Sequence, residues 1–209
     1  MDTQASTDPF AVTTPEALAA LYGEVAERSN QKVVTALDDT ARRFIAASPF
    51  CVLATTSHRG LRATPRGDAP GFVAALSDGR LALPDRRGNN RIEALRDIVE
   101  TGGVALLFLV PGSNETLRIN GTARLTTDPA LRAGLAAKGV EPATVILVAV
   151  AEAYMQCGRA LLRSGIWAGR VKPAGVPSAG ELMAAHTGGL VDAAEYDANL
   201  YARAMGLLY

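Results

Sequence analysis

The stretch Phe50-Cys51-Val52-Leu53-Ala54-Thr55-Thr56-Ser57-His58-Arg59-Gly60-Leu61-Arg62-Ala63-Thr64-Pro65-Arg66 contains two strands and the turn between them. Residues 50–56 form an apolar run rich in strand formers. His58-Arg59-Gly60 is a turn, and residues 61–66 continue as a second strand. A connection this short suits antiparallel neighbours and leaves no room for the crossover that parallel strands need. The pattern recurs downstream, where residues 72–76 and 80–83 flank the turn Ser77-Asp78-Gly79. Residues 104–110 are continuously apolar, which predicts a central strand buried on both faces. Next, Leu117, Ile119, Gly121, Ala123 and Leu125 alternate with Thr116, Arg118, Asn120, Thr122 and Arg124, a strand of period two. Residues 144–154 supply the last long strand. The sum is about six strands. A small antiparallel barrel with peripheral helices fits this order better than a doubly wound sheet, which alternates strand and crossover helix.

Helices are expected around and between these strands. Thr13 or Thr14 with Pro15 and Glu16 starts one that runs to about Arg28, after a loose tail up to Phe10. Residues 39–47 form a second, stopped by Ser48-Pro49. Asn90 is the expected N-cap of a third, with Glu93 at the third helical position and Ile92, Leu95, Ile98 and Val99 on one face. Gly102-Gly103 ends it. Asp128-Pro129 opens a short helix to about Lys138, and residues 156–164 are helical. Residues 172–177 are a Pro/Gly linker before two capped helices, from Ser178 (with Glu181) and from Asp192 (with Glu195). The chain thus divides into an N-terminal helical extension (1–38), a barrel (39–168), and a linker with C-terminal helices (169–209).

The 209 residues suffice for one compact domain with additions at its ends. Twenty-one basic and 21 acidic side chains cancel, which argues against a general nucleic-acid binder. The two cysteines, Cys51 and Cys157, have no metal-ligand spacing and are expected to be small buried apolar residues in a reducing compartment. The two histidines, His58 and His186, have no partner at helical spacing, so no metal site is expected. No signal peptide opens the chain, and its apolar runs are too short to span a membrane, so the expectation is a soluble cytoplasmic protein. There is no GxGxxG at a strand–helix junction, no GxxxxGK[ST] loop and no G-x-S-x-G elbow.

The charge pattern points to an anion site. In Pro84-Asp85-Arg86-Arg87-Gly88-Asn89-Asn90-Arg91, three arginines crowd a helix start, an end that already carries partial positive charge. An anion among them reverses the cost, and phosphate suits both arginine forks and free backbone amides. The other reading, a solvated arginine-rich turn, has equal weight on charge alone. Arg159 and Arg163 lie four apart on one predicted helix face, where the plainer reading is two solvated arginines and the other is a pair that an acidic partner or a bound anion stabilises. Arg118 and Asn120 share the polar face of their strand, and Trp167 could cover a ring-shaped ligand or fill the core. Arg66 and Asp68 fall in Thr64-Pro65-Arg66-Gly67-Asp68, whose plain reading is a turn with a local ion pair.

Residues from about 44 to 167 resemble the pyridoxamine 5'-phosphate oxidase-related FMN-binding proteins of the split-barrel fold. The resemblance is carried by Thr64-Pro65-Arg66-Gly67-Asp68, Leu83-Pro84-Asp85-Arg86-Arg87-Gly88-Asn89-Asn90-Arg91 and Leu107-Phe108-Leu109-Val110-Pro111-Gly112. Glu115-Thr116-Leu117-Arg118-Ile119-Asn120-Gly121 and Arg159-Ala160-Leu161-Leu162-Arg163-Ser164-Gly165-Ile166-Trp167 complete it. The chain looks like the subgroup with P-D-R-x-G-N-N-R. The resemblance implies a mostly β split barrel with peripheral helices. It also implies a homodimer with one FMN per subunit at the interface, while charge balance, short apolar runs and Cys/His spacing give the expectation of no nucleic-acid partner, no membrane partner and no metal. It places the FMN phosphate at Asn90 and Arg91, in the segment that holds Asp85, with Arg66 as a further contact. Thr116 and Arg118 fall where the flavin ring lies, and Arg163 and Trp167 where the other subunit reaches the cofactor. The vitamin B6 enzyme has an Arg-Lys pair where this chain has Asn90-Arg91, and its C-terminal substrate pattern is missing, so pyridoxamine phosphate is not implied as substrate. The implied activity is an FMN-dependent oxidoreductase with unknown donor and acceptor and no identifiable catalytic acid or base. The alternatives are a non-enzymatic flavin binder or sensor, or a split barrel holding deazaflavin or haem, for which His58 or His186 is a weak axial ligand.

Overall fold

The computed structural model describes residues 8–169 and 171–206. The chain forms two compact units, Met1–Val33 and Val34–Tyr209. In the first, helix α1 (Pro15–Tyr22) begins at Thr14, whose hydroxyl accepts from the Ala17 amide at 3.2 Å. It stops well short of Arg28 because Gly23 takes a left-handed φ of 65°. A separate short helix, α2 (Glu27–Gln31), follows.

The second unit is built on one antiparallel seven-stranded sheet. Its strands are β1 (Phe50–Ser57), β2 (Gly60–Gly67), β3 (Ala74–Ala75), β4 (Leu81–Pro84), β5 (Gly103–Leu109), β6 (Thr116–Thr126) and β7 (Val145–Gln156). They are ordered β2-β1-β5-β6-β7-β4-β3. The β1–β2 hairpin pairs in register from Phe50 opposite Gly67 to Ser57 opposite Gly60. The expected strand at 72–76 shrinks to the two residues of β3, because Phe72 and Val73 turn into the core. β5 is central in the sheet, but it is not buried on both faces: Val104, Leu106 and Phe108 are buried while Ala105, Leu107 and Leu109 are half-exposed. An all-apolar run therefore misreported the outer face, which carries Val52, Leu107, Arg118 and Tyr154 in one row across β1, β5, β6 and β7.

β6 keeps its period of two to Asn120, after which the pairing with β7 shifts by one residue. Asn120 faces Glu152 but Gly121 faces Val150, so Ala151 is the extra residue of a β-bulge. Gly121 is required at this point, since a Cβ there would collide with the Ala149 carbonyl. Gly121→Ala should cost about 1–3 kcal/mol by forcing the two strands apart. A urea titration of the variant, with an unchanged slope and a lower midpoint, checks this.

Helix α3 (Asp39–Ala47) starts at Asp38, which accepts from the Ala41 amide, and ends before Ser48-Pro49. It buries Ala41 and Ile45 against the barrel core of Leu53, Leu81, Leu83, Leu106, Phe108, Ile119, Ile146 and Val148. Helix α4 (Glu93–Thr101) closes the barrel beside β1 and ends at Gly102, whose φ is 72°. Its inward face is Ala94, Leu95, Asp97 and Ile98. Ile92 and Val99, expected on that face, are exposed, Val99 by 73%. An acidic residue takes the inner position because three groups wait for it. Asp97 is fully buried, accepts from Thr55 Oγ1 at 2.8 Å and is held by both oxygens to Arg62 Nη1 at 2.9 Å. Burial pushes this carboxyl up, and the hydrogen bonds of Thr55, Ser57 and Arg62 overcome it and hold the group below the usual carboxylate range.

Helix α5 (Pro129–Gly134) is capped by Asp128 and ends before Lys138, and α6 (Arg159–Ser164) starts later than expected because β7 continues to Gln156. Helices α7 (Ala179–His186) and α8 (Ala193–Gly206) form a hairpin. Ser178 and Glu181 make the expected capping box, and Asp192 accepts from the Glu195 amide. Cys51 is buried, and burial pushes its thiol up to about 12, while Arg66 pulls the other way. Cys157, expected to be buried, is exposed just past the end of β7. No helix among the described residues is long and apolar enough to cross a membrane.

Candidate functional site

The ends of β2 and β4 are not joined by backbone pairing but by two crossed ion pairs. Arg66 Nη1 lies 2.7 Å from Asp85 Oδ1, and Arg86 Nε lies 2.7 Å from Asp68 Oδ2. The local Arg66–Asp68 pair expected of the turn is absent, because β2 alternation turns Arg66 inward and carries it to the end of β4. Arg86 also donates to the Leu135 carbonyl at 2.8 Å, and the Asp85 amide donates to the Thr144 carbonyl at 3.0 Å. The seam thereby holds the segment after α5 against the end of β4.

Behind this seam lies a cavity of about 1070 Å³. Its walls are Thr64 and Arg66 from β2, residues 85–92, the first turn of α4 with Val99 and Glu100 farther along it, Leu125 from β6, and residues 140–144. Five arginines (66, 86, 87, 91 and 96) face four carboxylates (Asp85, Glu93, Glu100 and Glu141) in this lining. Most of the charge is already matched: Arg91 Nη2 is 2.9 Å from Glu93, and Arg86 is held as described. Arg66 is different. Asp85 accepts from its Nη1 corner, while Nε is buried without a hydrogen-bond partner. Thr144 Oγ1 is the other buried side-chain atom among the described residues that lacks a partner, and it lines the same cavity. A buried donor left unmatched costs about 1–3 kcal/mol, so two such atoms in one cavity point to an acceptor that completes them.

The sequence-predicted residues fall into two groups. Arg66, Asp85, Asn90 and Arg91 line the cavity. Asn90 is not the N-cap of α4: it has a left-handed φ of 59°, the helix starts later, and Ile92 stands at the cap with φ of 47° and no side-chain cap bond. The reason is local. Asn89 Oδ1 accepts from the Arg91 amide at 3.1 Å, an Asx turn that competes with helix. Thr116, Arg118, Arg163 and Trp167 do not reach the cavity. Thr116 is buried at the start of β6, and Arg118 contacts the Tyr154 hydroxyl at 3.3 Å and sits 5.8 Å from the centre of its ring. Trp167 Nε1 donates to the Ser113 carbonyl at 2.7 Å, and Arg163 is exposed on α6. The cavity touches β6 only at Leu125, seven residues beyond Arg118, or roughly 20 Å along the strand. Sequence reading missed Thr144 and the 140–144 wall, which carry no motif, and the anchoring roles of Asp68 and Arg86. His58 and His186 are both exposed and neither lines the cavity. No group of three or more potential metal ligands occurs among the described residues.

Solved structures that the chain is similar to include HupZ of Group A Streptococcus, 15% identical over 56% of this chain and 91% of that one, with a TM-score of 0.46. General stress protein 26 of Bacillus anthracis is 16% identical over 54% and 88%, with a TM-score of 0.40. No curated protein sequence matches the chain. The profile of the family described as pyridoxamine 5'-phosphate oxidase matches residues 37–157, which spans α3 and all seven strands. That match covers more than half of the 209 residues, and the chain belongs to the pyridoxamine 5'-phosphate oxidase family.

Proposed function

We propose that this protein is an FMN-binding flavoprotein, an oxidoreductase that uses the cofactor at the interface of a homodimer. The observation that carries the reading is the unmatched Arg66 Nε, buried in a cavity with the unmatched Thr144 hydroxyl and a surplus of arginine. These residues fit a phosphate monoester: a guanidinium and a hydroxyl supply the donors, and Arg87 and Arg91 at the exposed rim add positive charge. Asp85 does not stand in the way, because it uses the Nη1 corner of Arg66 and leaves Nε for the ligand.

The second cluster supports the dimer. Arg118 is too far along β6 to serve the cavity of its own chain, and Trp167 is tied to Ser113 just before that strand, so a second copy that brings this end to the first copy's cavity would complete one site. Arg118 lies on a half-exposed face with Val52, Leu107 and Tyr154, a surface that a partner subunit would cover. Bound FMN supplies hydride and single-electron chemistry that no side chain can. The chain's part is to hold the phosphate through Arg66 and Thr144, to exclude water with the 140–144 wall, and to present the Arg118 charge to the electron-rich edge of a reduced ring. No side chain is assigned as catalytic acid or base.

The purified protein should show the absorbance of bound flavin, or acquire it when FMN is added and free cofactor is removed. Stopped-flow bleaching of that absorbance by a nicotinamide cofactor then separates an oxidoreductase from a flavin store. Arg91→Ala should weaken FMN by roughly 1.5–3 kcal/mol. Because Arg91 is 69% exposed, the lower end of that range is expected. Fluorescence titration with FMN checks it, and an unchanged affinity removes Arg91 from the phosphate site.

A further inference from the structure

We propose that residues 88–93 form a switch that lengthens α4 by two residues, about half a turn, when an anion enters the cavity, with Glu93 as the group that changes partner. The inference rests on the anion site proposed above and adds a conformational step to it.

Three residues other than glycine have positive φ among those described, and two of them, Asn90 and Ile92, flank Arg91 in the cavity wall. Asparagine tolerates this region, but a β-branched isoleucine there is an outlier that neighbouring contacts must hold in place. Those contacts are visible. Asn89 Oδ1 fixes the Arg91 amide, Arg91 Nη2 grips Glu93 at 2.9 Å, and Arg62 Nε lies 3.7 Å from the same carboxylate. Glu93 therefore serves two arginines.

The same residues also encode a second arrangement. With Asn90 as N-cap, Glu93 falls at the third helical position, where a carboxylate can return to the N-cap amide and complete a capping box. In that arrangement Ile92 is ordinary right-handed helix, and the first amides of the lengthened α4 point into the cavity. The two arrangements exclude each other, since Glu93 cannot both pair with Arg91 and cap Asn90. An anion decides between them. It competes for the Arg91 guanidinium and repels the Glu93 carboxylate, which already faces the buried Asp97 charge. A ligand shifts such an equilibrium only by its differential affinity, and the amides exposed by the lengthened helix supply that difference.

Hydrogen–deuterium exchange on the full chain, with FMN and with inorganic phosphate as probes, tests the switch. In the lengthened helix the amides of Ala94 and Leu95 bond to the carbonyls of Asn90 and Arg91, so their exchange should slow at least tenfold on binding. Ile92→Gly removes the left-handed penalty from the observed form and weakens the longer helix, so it should bind FMN about tenfold less tightly. Ile92→Ala, which deletes the same side chain but favours helix, should bind at least as tightly as the parent. FMN binding with no change in protection at Ala94 and Leu95 overturns the switch and leaves the site intact. Equal weakening by both substitutions also overturns it, because the loss then comes from side-chain contact. Failure of both FMN and phosphate to bind removes the anion site and the switch with it.

Discussion

Asp97→Asn should destabilise the fold by about 3 kcal/mol, the largest loss expected of any single-atom change in this chain. Asparagine has the same shape and can still accept from Thr55, so the variant isolates the charge. What it removes is the counter-ion of Arg62, whose Nη1 sits 2.9 Å from both carboxylate oxygens. Arg62 is then left mostly buried with only Glu93 at 3.7 Å to answer it. For a chain of this length the loss corresponds to a fall in Tm of roughly 6–12 °C. Asp78→Asn, in an exposed turn pair with Arg80, should leave Tm nearly unchanged. The sign of the pH dependence follows from the lowered Asp97 carboxyl. Its contribution is fully present above the unfolded value of about 3.9 and is lost as pH falls through the lower folded value. The gap between parent and Asp97→Asn should therefore be wide at neutral pH and narrow once the pH drops well below 4. A gap that does not change with pH would mean that the network acts through shape and not charge.

The second large effect is on the cofactor. Arg66→Ala should weaken FMN by about 2–3 kcal/mol, a 30- to 150-fold rise in Kd. Arg66→Lys should recover only part of this, because an ammonium restores the charge but not the fork that serves Asp85 and the ligand together. The effect should exceed that of Arg91→Ala, since Arg66 is largely buried at the seam and Arg91 is exposed at the rim. Calorimetric titration of the three variants ranks them. A larger loss for Arg91 than for Arg66 would move the phosphate out to the rim of the cavity.

The fold was legible where the sequence repeats a local rule. The short turns at His58-Arg59-Gly60 and Ser77-Asp78-Gly79 and the alternation from Thr116 set the antiparallel sheet, and Ser48-Pro49 set the end of α3. It was less legible where tertiary contacts override local preference. The apolar run of β5 does not distinguish core from a half-exposed outer face. Asp97 was invisible as a core residue because a buried charge is readable only from its partners, and Thr55 and Arg62 come from another part of the chain. The same holds at the candidate site. The arginine-rich stretch left an anion site and a solvated turn equally open, its expected Asn90 cap is displaced by the Asn89 turn, and Thr144 has no local signature. Arg66 was named from the sequence, yet its unmatched Nε follows only from the crossed pairing of β2 with the end of β4.

The most direct test of the account is a paired calorimetric titration of the full chain with FMN and with riboflavin, which differ only in the phosphate. One FMN should bind per chain, and riboflavin should bind at least 30-fold more weakly, the difference narrowing in Arg66→Ala to what Thr144 and Arg91 still supply. Equal binding of the two flavins by the parent protein, or no binding of FMN at all, would contradict an anion site at Arg66.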